Sequence, residues 1–223
     1  EYCEVAETRA TPGARVAGRI SIVIPSYNRP RRLARCLAAL ARAEGGPFET
    51  IVVDDGSPEP LEAVCANAGP WVRYLRQPNG GPAKARNTGA LAASGDFLCF
   101  TDDDCLPEPQ WAQRLLEAQV GDPQALAGGR VDNAFPDNLF AETSQSICDW
   151  LYAWHDKTAC DTMFFTANNI GCTKRVFQQI GGFDESFPIA AGEDREFALR
   201  WTRLGGRLRF APAAVVAHAH DLD

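Results

Sequence analysis

The sequence predicts an α/β fold: a mostly parallel central sheet with helices on both faces. Three observations carry that expectation. Short apolar runs rich in branched residues recur through the first half, such as Ile20-Ser21-Ile22-Val23-Ile24 and Thr50-Ile51-Val52-Val53. Each is followed by a segment with helical spacing of its apolar residues. The conspicuous polar residues Asn28, Asp55, Asp102 and Asp104 all fall just after the apolar runs. Continuous apolar runs of this length are what strands covered on both faces require. Right-handed crossovers then bring the strands' carboxyl ends to one edge, where open α/β sheets bind ligands.

The elements follow in order. The first strand, 20–24, ends at Pro25. A helix over 29–44 has Leu33, Cys36, Leu37 and Leu40 at helical spacing, Pro30 in its first turn and Gly45-Gly46-Pro47 as its stop. A second strand, 50–53, is halted by Asp54-Asp55-Gly56-Ser57-Pro58. A short helix over 61–68, a strand over 71–75 and a glycine-bearing loop lead to a helix over 83–93. A strand over 96–101 carries Asp102-Asp103-Asp104 at its end, and a helix over 107–120 places Trp111, Leu115 and Ala118 on one face. The second half is less regular, and 128–160, with Trp150, Tyr152, Trp154 and His155, is left without an assignment. A helix over 173–180 is closed by Gly181-Gly182. A helix over 193–204 buries a stripe of Phe197, Trp201 and Leu204, with Gly205-Gly206 as its stop. Residues 208–210 and 214–217 read as two closing strands. Residues 1–18 form a polar arm and 19–223 a single domain, with no repeat, low-complexity tract or linker.

Composition narrows the class. The 223 residues are 45% hydrophobic and 23% charged, as in a globular protein and unlike a disordered one. The net charge of −7 comes without a block of like charges, so no nucleic-acid partner is expected. An acidic site would have to recruit a cation before it could hold a phosphate. None of the eight cysteines forms a C-x-x-C pair, and several lie inside apolar runs, which predicts reduced, buried thiols in the cytoplasm rather than a zinc cluster. No apolar stretch has the length of a membrane span and no secretory signal is expected, which leaves peripheral membrane association open.

Several motifs carry chemistry. In an extended Asp102-Asp103-Asp104, side chains alternate, so Asp102 and Asp104 would share a face. Such a pair suits Mg²⁺ or Mn²⁺, which take one or two carboxylates and fill their shell with water and phosphate oxygens; an acidic turn is the equal alternative. Asp54-Asp55-Gly56-Ser57 is either a turn or a site where a carboxylate accepts from a nucleobase imide or a ribose hydroxyl. Asn79-Gly80-Gly81, running into Ala85-Arg86-Asn87, lets backbone approach a ligand at a helix start. It is neither a P-loop nor the dinucleotide fingerprint, because Pro25-Ser26-Tyr27-Asn28 stands after the first strand. Glu193 and Asp194 open a helix, either as dipole partners or as a general base. His218 and His220 alternate with alanine at the end of an apolar run, and beside an acidic metal site one becomes a plausible nitrogen ligand.

Taken in order, Ile24-Pro25-Ser26-Tyr27-Asn28-Arg29, Val53-Asp54-Asp55-Gly56-Ser57, Asn79-Gly80-Gly81 through Asn87, Phe100-Thr101-Asp102-Asp103-Asp104, Gly181-Gly182-Phe183-Asp184-Glu185 and Gly192-Glu193-Asp194 resemble glycosyltransferase family 2 from about residue 20 to 218. The resemblance implies a Rossmann-like GT-A fold and an inverting transfer of sugar from a nucleotide sugar, expected to be UDP-linked, to a hydroxyl of a saccharide, lipid or peptide acceptor. It implies that Pro25, Tyr27, Asn28, Asp55 and Asn79 line the nucleotide pocket, with Arg86 at its edge and Asp102 and Asp103 beside the ribose and diphosphate. Asp104, Asp102 and His218 would hold Mn²⁺ or Mg²⁺. Helical geometry does not separate Glu193 from Asp194 as the catalytic base; the resemblance selects Asp194. A sugar-nucleotide pyrophosphorylase would share the sheet and the metal carboxylates but needs a glycine-rich loop after the first strand. A silent sugar-nucleotide or glycan-binding domain has no need to keep Asp102, Asp104 and Asp194 together.

Overall fold

The computed structural model describes residues 19–46, 48–138, 142–143, 146, 164–187 and 192–219. Four parallel strands form the first half: β1 (Ile20–Ser26), β2 (Phe48–Asp54), β3 (Val72–Arg76) and β4 (Phe97–Phe100). Helices α1 (Pro30–Leu40), α2 (Glu62–Ala68) and α3 (Pro82–Ala92) connect them, as the alternation predicts. β5 (Cys105–Pro107), α4 (Trp111–Ala118), β6 (Leu126–Asn133), a short 3-10 turn (Ala167–Asn169), β7 (Ile170–Thr173), α5 (Lys174–Ile180), α6 (Glu193–Arg203) and β8 (Leu208–His218) follow. The sheet order is β3-β2-β1-β4-β7-β6-β8-β5, with β7 antiparallel to β4 and β6, and β5 antiparallel to β8. β6 and β8 therefore run in the direction of β1 to β4. This places the end of β8 at His218 on the same edge as the ends of β1, β2 and β4.

The central strands are buried on both faces, so alternate residues feed two cores. Ile22, Ile24 and Val52 pack against Leu33 and Leu37 of α1 and Trp111 and Leu115 of α4. Val23, Ile51 and Val53 pack against α3 and, with Phe100, an aromatic group of Phe177, Phe183, Phe197 and Trp201. α3 lies close on the sheet because it carries Gly89 at the contact, where a Cβ would collide with Val23 and Val53.

Some elements differ from the sequence reading. β8 is one strand, not two; Gly129 pairs with Ala211 and Arg130 with Val215, so the chain around Pro212 bulges out of register. The expected helix over 107–120 begins only at Trp111, because 105–107 pairs with β8. The expected burial of Leu204 is also wrong, as it is 63% exposed. α6 ends at Arg203, and Gly206 folds back to donate its N–H to the Trp201 carbonyl at 3.0 Å, closing over the tryptophan where Leu204 would have packed. The arm 1–18, Trp150, Tyr152, Trp154, His155 and His220 lie outside the described residues. Cys36, Cys65, Cys99, Cys105 and Cys172 are buried free thiols. Among the described residues no helix is long and apolar enough to cross a membrane.

Candidate active site

β4 stops at Phe100, and the aspartate triplet that follows is a turn rather than a strand continuation. Strand alternation therefore does not operate, and the expectation that Asp102 and Asp104 share a face is corrected. Asp102 turns to Arg86, while Asp103 and Asp104 both contact Arg29. Asp103 is buried and accepts from the Ser26 hydroxyl at 2.6 Å and from Arg29 Nη1 at 3.3 Å. Burial pushes Asp103 up to about 6, against the Ser26 hydrogen bond and with the help of the Asp104 charge. Asp104 Oδ2 receives Arg29 Nη1 at 3.4 Å and Arg32 Nη1 at 3.3 Å, and its Oδ1 lies 3.4 Å from His218 Nε2. Burial opposes charge on both partners here. The pairing prevails, holding Asp104 below its ordinary range and raising His218.

A second assembly joins this turn to α6. Arg86, on α3 and 3% exposed, donates through Nη2 to Asp102 Oδ1 at 2.8 Å and through Nη1 to Glu193 Oε1 at 2.9 Å. Its guanidinium lies 5.5 Å from the Phe183 ring centre, and Phe183 stacks on Phe197 at 4.4 Å. The next residue, Asn87, exchanges hydrogen bonds with the Phe183 backbone, so Arg86-Asn87 fastens α3 to the Gly182-Phe183 loop. Glu193 is thereby a buried partner of Arg86. Asp194 beside it is partly buried, and its carboxylate accepts from the Arg195 N–H at 2.7 Å. Burial, then the neighbouring Glu193 charge, raise Asp194 above the usual carboxylate range.

The residues expected around a nucleotide occupy the ends of β1 and β2 and the loop after β3. Pro25 is buried within β1; Tyr27 is 47% exposed just beyond it. Asn28 adopts a left-handed φ of 55° and donates its backbone N–H to the Ser57 hydroxyl at 2.9 Å. Asp55 accepts from Gln77 Nε2, Gly80 N and Gly81 N at 2.7, 2.9 and 2.8 Å, which pins the glycine loop and holds exposed Asn79 close to Gly56. Asp54 is spent on the Ser57 and Leu61 N–H groups that follow it and on the Tyr74 hydroxyl of neighbouring β3. Ser26 unites the two groups: its carbonyl accepts from Asp55 N at 2.9 Å while its hydroxyl serves Asp103. The sequence reading held Ser26 and Arg29 only as members of the motif from Ile24 to Arg29, with no contact assigned to them, and passed over Arg32, although Arg29 at the N-cap and Arg32 in the first turn of α1 stand three residues apart just after β1.

The donor set fits a hard or borderline divalent ion. Asp104 Oδ1, His218 and Cys105 Sγ lie within 4.8 Å of one another. Within this group Asp104 offers a carboxylate oxygen and His218 an imidazole nitrogen, with the buried Cys105 thiol beside them.

Residues 21–181 match the family model described as "Glycosyl transferase family 2". The chain is 31% identical to chondroitin synthase of Escherichia coli over 236 residues, covering 89% of this chain but 34% of that protein, so it spans about a third of that relative's length. In structure it resembles mannosyltransferase PcManGT from Pyrobaculum calidifontis, solved with GDP-Man and Mn²⁺, at a TM-score of 0.72 and 18% identity over 91% of this chain and 57% of that one. It also resembles GalNAc-T7, solved with UDP, GalNAc and Mn²⁺, at a TM-score of 0.70 and 19% identity over 92% and 44%. These likenesses show the GT-A fold. The motif order and the family match over most of its length agree: the chain belongs to glycosyl transferase family 2.

Proposed function

We propose that this domain is an inverting, cation-dependent glycosyltransferase that moves a sugar from UDP to an acceptor hydroxyl. The observation that carries the reading is the convergence on one sheet edge of the Asp104–His218 pair, Asp102 and an Asp194 that no described cation pairs with directly. Asp104 and His218 would hold Mn²⁺, with Asp102 beside them; when bound, the ion neutralises charge gathering on the departing diphosphate.

Asp194 is the base. It accepts the proton of the acceptor hydroxyl as that oxygen bonds to the anomeric carbon and the bond from carbon to diphosphate oxygen breaks on the opposite side. Its raised affinity for a proton suits that task, whereas Glu193 is engaged by Arg86. Glu193 is accordingly a positioning residue, fixing the start of α6 against α3. Asp55 supports UDP: of about four acceptor positions on a carboxylate, three serve protein donors and one is left for the uracil imide N–H. Exposed Tyr27 offers a ring for the base to stack on. Five buried free thiols support a reducing, cytoplasmic setting.

The test is a panel of UDP- and GDP-sugars incubated with Mn²⁺ and oligosaccharide acceptors, with product configuration read by NMR. An α-linked donor should give a β-linked product from UDP-sugars. Retention of configuration would overturn the mechanism, and preference for GDP-sugars would overturn the donor assignment alone.

A further inference from the structure

Arg29 and Arg32 contact the acidic turn in a way unlike any other arginine around it. Both Nη1–oxygen distances to Asp104 are 3.3–3.4 Å, and Arg29 reaches Asp103 at 3.3 Å. Charge-assisted contacts of good geometry lie near 2.7–2.9 Å, which is where Arg86 sits. The Arg29 side chain is 50% exposed and that of Arg32 23%, against 3% for Arg86. Asp103 keeps a short hydrogen bond from Ser26 that does not depend on Arg29. Both guanidiniums meet Oδ2 of Asp104, whereas His218 meets Oδ1, so the arginines and the candidate metal ligand approach opposite oxygens of one carboxylate. They flank the ion's place without occupying its ligand atom.

We infer that Arg29 and Arg32 are diphosphate-binding residues, parked on Asp103 and Asp104 and handed to the donor's diphosphate oxygens when donor and cation arrive. Guanidinium forks match phosphate oxygens, and the two positions, one at the N-cap and one in the first turn of α1, offer two forks to two phosphates. The inference rests on the reading of the edge as a nucleotide-sugar site. It has an electrostatic consequence. Two positive groups against Asp104 weaken the turn for a bare dication, whereas a diphosphate draws them away and adds its own oxygens. Cation and diphosphate should then each improve binding of the other by the same factor.

The experiment compares wild type with R29Q, R32Q, the double variant and R29K/R32K. Mn²⁺ binding alone is followed by electron paramagnetic resonance. Calorimetry follows UDP, GDP, UMP and uridine with and without Mn²⁺. The double glutamine variant should bind Mn²⁺ alone more tightly than wild type and the Mn²⁺–diphosphate pair about ten- to a hundredfold more weakly. UMP should lose less than UDP, uridine should be unaffected, and the lysine variant should recover part of the loss. Unchanged diphosphate affinity in the double variant, or an equal loss for uridine, would overturn the inference, as would weaker binding of Mn²⁺ alone, which marks the arginines as props for the turn. Wild type that binds UDP equally with and without Mn²⁺ fails the cation reading, while a selective loss of UDP in R29Q/R32Q would still uphold the arginine pair.

Discussion

Two guanidinium assemblies grip the same aspartate triplet, and they are built differently. Arg86 is buried, bonded at 2.8 and 2.9 Å to Asp102 and Glu193, and backed by Phe183. Arg29 and Arg32 stand partly in solvent and reach Asp103 and Asp104 only at 3.3–3.4 Å. A buried charge that loses its partner is expensive, whereas an exposed ion pair contributes little. The first assembly therefore works as framework, locking the turn to the helix that presents Asp194. The second joins solvent-reaching guanidiniums to buried carboxylates that also have Ser26 and His218 as partners, so these arginines can change partner at less cost than Arg86. On the proposed reading, the buried assembly holds the groups that react and the solvent-facing one meets the ligand.

The largest expected effect lies at the edge of the rigid assembly. Asp194→Asn should reduce turnover by about a hundred- to ten-thousand-fold, the usual worth of a general base, with little change in UDP binding. Because the folded protein raises the proton affinity of Asp194, its charged form is disfavoured at neutral pH relative to the unfolded chain, and the asparagine variant should melt no lower than wild type. Glu193→Gln keeps an acceptor for Arg86 and should spare most of the turnover. It also removes the negative neighbour, so the acid limb of the kcat/KM profile should move to lower pH. Among the described residues, the charged groups facing Asp194 besides Glu193 are Arg86 and Asp102, and both are kept in that variant. If Glu193→Gln abolishes transfer while Asp194→Asn keeps it, the two roles are exchanged.

The contrast itself is tested by stability. Arg86→Met removes a buried cation from between Asp102 and Glu193 and should cost about 3–5 kcal/mol, toward the low end because Asp102 is partly exposed. For a domain of this size that is roughly a 10 °C fall in Tm. Arg29→Gln leaves Asp103 its Ser26 hydrogen bond and Asp104 its Arg32 and His218 contacts, and should cost clearly less than Arg86→Met. Similar melting losses in the two variants would erase the distinction between framework and exchangeable pair.

The sequence made one half of the molecule plain. β1, β2 and β4 are continuous apolar runs because both their faces are covered, and the residues that end them fall on one edge by topology alone. β6 was hidden by Gly128 and Gly129, unusual in a strand. A Cβ on Gly128 would collide with the Phe165 ring, and one on Gly129 with Ala214 and Asn169. Asn169 gave no local signal either, yet its side chain accepts from Trp111 Nε1 at 2.7 Å and donates to the Arg130 and Ala214 carbonyls at 2.8 and 3.1 Å, joining α4, β6 and β8. Such partners lie tens of residues apart, beyond any periodicity. At the site, residue types at strand ends were legible but their pairings were not. The alternation argument assumed that β4 continued through the triplet, whereas the turn at Asp103 and Asp104 sends Asp102 to Arg86 and leaves Asp103 and Asp104 sharing Arg29.

The central claim, that this edge binds a nucleoside diphosphate through a divalent ion, is tested most directly by titrating UDP into wild type and Asp104→Ala, each with Mn²⁺ and with chelator. The account predicts that wild type loses at least about tenfold in UDP affinity when Mn²⁺ is removed, a difference of about 1.4 kcal/mol, and that Asp104→Ala binds weakly in both conditions. Equal UDP affinity with and without Mn²⁺ in wild type would contradict it.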